Sequence, residues 1–330
     1  MITQTNHRET FRFVPSTSTP VSPERVAELL KAEWELFTKQ TGKSAEESRR
    51  ALKSLPMGVT SSFQHWDPYP ISIVSAKGAW MTDVDGRQLL DLSMGFGAML
   101  AGHLNPVIVE EVKKALESGT LFVTPSPIST DAAERICRRF GIDLVRFTNS
   151  GTESTMYAVR TARAATDKNA IVKIEGGYHG SYDPFVVSSK PPIDKIGDAE
   201  DPIAYTPEGI VPGEIYVVPY NNADALERTF KKHGSSIACF ILEPVLENIG
   251  IVLPDEGYLE RVRELCDEYN VVLIFDEVKT GLTAGHQGAA QRLGVTPDLI
   301  TLAKSIGGGL TLAAFGGKKK YMDFVTNGKM

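Results

Sequence analysis

From about Asn105 onward the chain alternates short apolar runs with longer amphipathic stretches. LVRFTN, AIVKIEG, ACFILEP, VVLIFDEV and DLITLAK are nearly continuous in apolar character, whereas PVIVEEVKKALES, ESTMYAVRTARAAT and GYLERVRELCDEY carry the helical period. A strand that does not alternate is buried on both faces, and strands joined through helices pair in parallel. The expectation is an α/β fold: a mostly parallel sheet flanked by helices. No internal repeat is visible.

Upstream the pattern differs. Residues 1–22 are polar, rich in Ser, Thr and Pro, and lack the apolar core of a secretion signal, so a flexible arm is expected. Ser22-Pro23-Glu24 opens a helix that runs through RVAELLKAEWELF, and Lys43–Lys53 reads as a second. An aromatic and polar loop spans Pro56 to Pro70. Beyond it ISIVSAKGAWMTDVDGRQLLDLS, broken at Lys77-Gly78 and Asp85-Gly86, predicts a β-meander. The division expected is an arm over 1–22, a helical and meander segment over 23–104, and a large domain over 105–330.

Composition excludes several classes of function. The chain is 42% hydrophobic and 23% charged, which suits a packed core, and its net charge of -6 comes from intermixed signs without a basic stripe. Neither nucleic acid nor an anionic membrane is an expected partner. No apolar stretch approaches the roughly 20 residues of a membrane helix. Cys137, Cys239 and Cys266 form no CxxC pair and read as buried thiols of a reducing compartment, the cytoplasm. No metal site is assigned.

In open α/β sheets ligands gather outside the carboxyl ends of the strands. LVRFTN is followed by Ser150-Gly151-Thr152-Glu153, either a plain helix cap or an anion site built from free amides, hydroxyls and the helix dipole. AIVKIEG is followed by Gly177-Tyr178-His179-Gly180, where an aromatic between glycines is a packed turn or a cover for a planar ring. VVLIF ends in Asp276, a carboxylate too costly to bury unless a cation or donors face it. A Walker B role fails because the chain contains no Walker A sequence. DLITLA ends in Lys304, a snorkelling surface lysine or a desolvated amine suited to a Schiff base. Phosphate clamp, ring cover, acid for a pyridine nitrogen and amine are the four holds that pyridoxal phosphate needs as an electron sink.

FTNSGTE, GGYHG, PYN, LEP, IFDEV-x-TG, TPDL-x-TLAK and GGGL-x-x-AAFGG together resemble the class III, fold type I aminotransferases. The resemblance is nearest to glutamate-1-semialdehyde aminomutases and β-amino-acid transaminases, and runs from about Leu55 onward. It implies the cofactor pyridoxal 5'-phosphate, with Lys304 as its Schiff-base amine and proton carrier and Asp276 at the pyridine nitrogen. Val278 and Tyr178 would cover the two ring faces, and Ser150, Gly151 and Thr152 would hold the phosphate. Glu243 matches the glutamate of an E-P motif, and Asn248 an asparagine near the phenolic oxygen. The reaction implied is ping-pong transfer between an amine or amino acid and a carbonyl acceptor. A homodimer is implied as well.

Three departures accompany the resemblance. Gln64 stands where near relatives carry an arginine for the substrate carboxylate, which leaves a carboxylate without its bidentate partner or a substrate lacking one. His65 and Trp66 beside it suggest an aromatic or amine pocket, with loop packing as the alternative. In DEVKTGLT the usual arginine is again missing, and Lys279 replaces an apolar residue; it reads as a solvated turn lysine, or else as the compensating cation. The chain ends at Met330, so the family's C-terminal domain is expected to be missing. Two rivals accompany the aminotransferase: an intramolecular aminomutase, which needs no second substrate, and a non-catalytic binding protein of the same fold. A dehydrogenase is disfavoured because Gly95-Phe96-Gly97 has no third glycine at Leu100.

Overall fold

The computed structural model describes residues 22–196 and 204–326; the arm expected over 1–22 lies outside them apart from Ser22. Contacts divide the chain into one unit containing the residues up to Ser75 and Met81–Leu89, and a second containing Ala76–Trp80 and the residues from Leu90 onward.

The first unit opens with helices α1 (Pro23–Gln40) and α2 (Gly42–Ala51). Ser22 caps α1, its hydroxyl accepting from the Arg25 amide at 3.2 Å, with Pro23 and Glu24 in the first turn. Helix α2 has no side-chain cap of its own. Its free N–H groups are met by Asp85, which accepts from the amides of Lys43 (2.8 Å) and Ser44 (3.1 Å) and from the Ser44 hydroxyl (2.6 Å). The loop over 56–70 contains two short 3-10 turns, Pro56–Gly58 and Ser62–Gln64.

The expected meander is present as β1 (Ile73–Lys77), β2 (Trp80–Asp83) and β3 (Gln88–Leu90), ordered β1-β2-β3. Residues 90–104 fall with the second unit rather than with the N-terminal segment. The reason is local: Gly78 and His103 exchange backbone bonds of 2.8 and 2.9 Å, and buried Asp91 meets His103 Nε2 at 2.7 Å.

In the second unit, α3 (Pro106–Ser118) and α4 (Pro127–Phe140) precede β4 (Leu144–Thr148), α5 (Gly151–Thr166) and β5 (Ala170–Ile174). A short α6 (Asp183–Val186) leads on to β6 (Ile215–Val218), α7 (Ala223–His233), β7 (Ile237–Leu242), α8 (Tyr258–Glu268) and β8 (Val272–Asp276). The chain continues through α9 (Gly288–Leu293), β9 (Leu299–Leu302), β10 (Ala313–Gly317) and α10 (Lys319–Met322). The sheet runs β4-β10-β9-β8-β7-β5-β6. Pairs β5·β6, β5·β7, β7·β8 and β8·β9 are parallel, and β10 is antiparallel to both β4 and β9. The sheet is therefore mostly parallel, with β10 the exception among the described residues.

Strand alternation divides the core between two faces. Val272 and Ile274 of β8 pack with Ala158, Val159 and Ala162 of α5, while Leu273 and Phe275 pack with Leu226 and Phe230 of α7 and Val262 and Leu265 of α8. Every residue of β5, β7, β8 and β9 is buried, as continuous apolar runs predict. With both faces covered, polar groups gather at the strand ends. Among the described residues no helix is long and apolar enough to cross a membrane, and no cluster of His, Cys, Asp and Glu could hold a metal ion.

Candidate active site

The carboxyl ends of β4, β5, β7, β8 and β9 open onto one cavity of about 260 Å³. Its walls include Ser150, Gly151, Thr152, Tyr178, Glu243, Asp276, Val278 and Lys304, eight of the nine cofactor-binding candidates. All of the lining belongs to the second unit.

Ser150 is the N-cap of α5: its hydroxyl accepts from the Glu153 amide at 3.2 Å, and Glu153 reaches back to the Asn149 amide at 2.8 Å. The cap and the anion site coexist. Among the described residues the amides of Gly151 and Thr152 donate to no protein group, so two N–H groups remain at the positive end of a 16-residue helix. Gly180 closes against this turn at φ +103, where a Cβ would collide with Thr152. The Ser181 amide donates to the Thr152 hydroxyl at 3.2 Å.

Asp276 is 4% exposed and held from three sides. One oxygen accepts from the Val278 amide and the Thr301 hydroxyl, both at 3.0 Å, and the other faces His179 Nδ1 at 2.8 Å. His179 and Thr301 are site residues that sequence reasoning did not select. His179 lay within a quoted motif, but nothing in one sequence pairs it with Asp276. The other ring nitrogen of His179 is buried without a hydrogen-bond partner among the described residues.

Lys304 follows β9 with φ +49, a left-handed conformation that costs a non-glycine residue of order 1 kcal/mol and marks a position held by its surroundings. Its ammonium lies 5.8 Å from the centre of the Phe96 ring. Burial, followed by the positive charge of Lys279, holds its pKa below the usual lysine range against the pull of Asp276, Glu243 and Glu247. Glu243, 3% exposed, accepts from the Tyr178 amide at 3.0 Å and the Glu247 amide at 3.1 Å. Lys279 is not a solvated turn lysine: it lines the cavity, its side chain is 22% exposed, and its ammonium stands 3.5 Å from Glu243.

Two sets of candidates are not among this lining. Asn248 is absent from this lining; its amide donates to the Gly176 carbonyl at 2.9 Å beside a separate hollow. Gln64, His65 and Trp66 are exposed in the first unit, where Gln64 accepts from the Thr60 hydroxyl at 2.7 Å.

The donor set fits a flat phosphorylated pyridine. Two unspent amides can take a phosphate, a buried carboxylate with lone pairs to spare can face a ring nitrogen, and a desolvated amine can reach a carbonyl. Comparison with known proteins agrees. A profile of the family described as Aminotransferase class-III matches residues 62–330. The glutamate-1-semialdehyde 2,1-aminomutase of Methanocorpusculum labreanum is 41% identical over 285 residues, which cover 86% of this chain and 68% of the relative. An omega-transaminase from Sphaerobacter thermophilus superposes with a TM-score of 0.83 at 35% identity, covering 86% of this chain and 66% of that one. A transaminase structure with PLP bound gives 0.80 at 34%, covering 88% and 67%. The chain thus spans about two thirds of the length of the proteins it matches. It belongs to the class III aminotransferase family, whose members are pyridoxal-phosphate-dependent and share fold type I.

Proposed function

We propose that this protein is an aminotransferase that moves an amino group from an amine or amino acid to a carbonyl acceptor by a ping-pong mechanism. The observation that carries this reading is the meeting of Lys304, Asp276 and the two unspent α5 amides in one cavity. When bound, pyridoxal phosphate supplies an electron sink for the carbon that bears the amino group. The amides of Gly151 and Thr152, with the hydroxyls of Ser150 and Thr152, bind the phosphate. Asp276 accepts the ring N–H and keeps the proton there, oriented by Thr301 and His179. Val278 and Tyr178 confine the two ring faces; Asn248, bonded to the Gly176 carbonyl outside this lining, is given no part in holding the ring. Lys304 holds the cofactor through Nζ; its lowered pKa favours the neutral amine that takes and returns the proton at the substrate carbon.

The test is the visible absorption band of the protein loaded with pyridoxal phosphate, compared with Lys304→Ala. A band that needs Lys304 and bleaches on adding alanine or 1-phenylethylamine is expected. A folded full-length protein without such a band would remove the enzyme reading.

An intramolecular aminomutase is the second reading, favoured by the name of the 41%-identical relative. Gln64 in place of a carboxylate-gripping arginine weighs against it, as does the likeness to omega-transaminase. Dependence of turnover on a separate amino donor separates the two. A homodimer is supported by the apolar surface of residues 92–128, where Leu92, Leu121 and Val123 are 86%, 81% and 92% exposed. Light scattering of the full-length protein checks it. Cysteines that are free, two of them buried, support a cytoplasmic setting.

A further inference from the structure

Lys279 is the charged donor of the cavity that the proposed chemistry leaves unused. Its head group is loosely held. Among the described residues its one side-chain hydrogen bond is the 3.5 Å approach to Glu243, at the outer limit for an ammonium and a carboxylate. By comparison, Lys318 meets the equally buried Asp298 at 2.7 Å. Glu243 does not depend on it, since each of its oxygens already accepts a backbone N–H. The ammonium can therefore leave without stranding a buried carboxylate.

The backbone beneath Lys279 is fixed. The Thr283 hydroxyl donates to the Lys279 carbonyl at 2.7 Å, and Glu277 and Thr280 on either side are buried and bonded to each other at 2.6 Å. A rigid turn thus presents a flexible, half-buried cation to the space beside Lys304. Removed from bulk water, such a cation gains more from an anion than a surface lysine does.

We propose that Lys279 determines substrate specificity by pairing with a carboxylate on the amino donor or the carbonyl acceptor, exchanging Glu243 for it on binding. The inference rests on the aminotransferase reading and gives its substrate a chemical class: an amino acid or oxo acid rather than a simple amine.

Full-length protein loaded with pyridoxal phosphate is titrated calorimetrically with butanoate and with butanamide, its neutral isostere. In parallel, kcat/KM is compared for 3-aminobutanoate and 2-aminobutane, which share a skeleton apart from the carboxylate. Lys279→Met is expected to weaken butanoate binding and to lower the 3-aminobutanoate preference by roughly ten- to a hundredfold, the loss of one charge-assisted hydrogen bond. KM should change more than kcat, and Lys279→Arg should restore much of the preference. Butanoate binding no tighter than butanamide, or a preference unchanged in Lys279→Met, would overturn the assignment. So would a raised cofactor dissociation constant with the preference intact, which would put the ammonium on the phosphate. The amine-bleached visible band reports the aminotransferase reading separately. If it is missing while butanoate binding still depends on Lys279, that reading fails and the carboxylate site stands.

Discussion

His179 Nδ1 lies 2.8 Å from a carboxylate oxygen of Asp276, and the ring is buried and steeply inclined to that of Phe185 at a centroid distance of 5.7 Å. Asp276 therefore has one oxygen fixed by Thr301 and Val278 and the other by an imidazole that cannot turn away. On the proposed reading His179 acts on the cofactor through Asp276, as a positioning residue. Asp276→Ala is expected to lower kcat/KM by about two to three orders of magnitude, the usual cost of a preorganised electrostatic contact. His179→Phe should cost less. The double variant should be no worse than Asp276→Ala, because partners in one network are not additive. Additive losses would show that His179 has a role of its own.

Gly180 makes the start of α5, the proposed phosphate end, sensitive to a single methyl group. At φ +103 an added Cβ meets both the backbone and the hydroxyl of Thr152, at the start of α5. Gly180→Ala must shift that turn or adopt a strained conformation costing about 1–3 kcal/mol. The cofactor dissociation constant should rise by roughly tenfold or more with the overall fold intact, as followed by titration of the apo-protein with pyridoxal phosphate. An unchanged constant would separate the turn from phosphate binding.

Glu277 is the buried acid that sequence reading passes over. Adjacent to Asp276 in the chain, it turns from the cavity and accepts from the Thr280 hydroxyl at 2.6 Å and the amides of Ala289 and Ala290 at 2.8 Å. Those contacts cap α9 and close the turn that carries Lys279. Glu277→Ala strands two buried donors and a half-buried one and should lower unfolding free energy by roughly 3 kcal/mol. Urea midpoints at constant slope measure it. A shift below about 1 kcal/mol would mean that water replaces the carboxylate.

How much of this was legible in the sequence follows from which forces leave a local trace. The strands of the parallel core announce themselves because burial on both faces demands unbroken apolar runs, and the residues that end them, Lys304 and Asp276, are conspicuous against that background. Strand β10 leaves no such trace. Its sequence AAFGG lacks β-branched residues because side chains at Gly316 and Gly317 would strike the neighbouring strand and the chain beside Asp298. Helix α4, Pro127–Phe140, is not singled out in the sequence: it buries no residue fully and packs against β4. The division of roles between Asp276 and Glu277 depends on which way each side chain points where β8 ends, and the pairing of Asp276 with His179 spans 97 residues. Lys279 illustrates the same limit: only the fold distinguishes a turn lysine in water from one in a cavity.

Lys173 shows what a charge costs inside the sheet, and it makes stability depend on pH. It is the fourth residue of β5, a strand buried throughout, and it is wholly inaccessible; its ammonium donates to the Val187 carbonyl at 2.7 Å. Burial brings its pKa from 10.5 to about 7, partly offset by attraction to Glu243 and Glu175. Between those two values the unfolded chain holds a proton that the folded chain lacks, so stability rises with pH across the window. Below about 7 the desolvation penalty is present in full, and above 10.5 it is gone. Lys173→Met removes the titration and leaves only a constant loss at the Val187 carbonyl. The unfolding free energy of the variant minus that of the native protein should therefore fall as pH rises from 7 toward 10, by at most about 1.4 kcal/mol per pH unit. Urea unfolding of both proteins at several pH values gives this difference, in which the titration of all other groups cancels. A difference that stays level across the window would mean that Lys173 remains charged in the fold, with its neighbouring acids stabilising it more than burial opposes it.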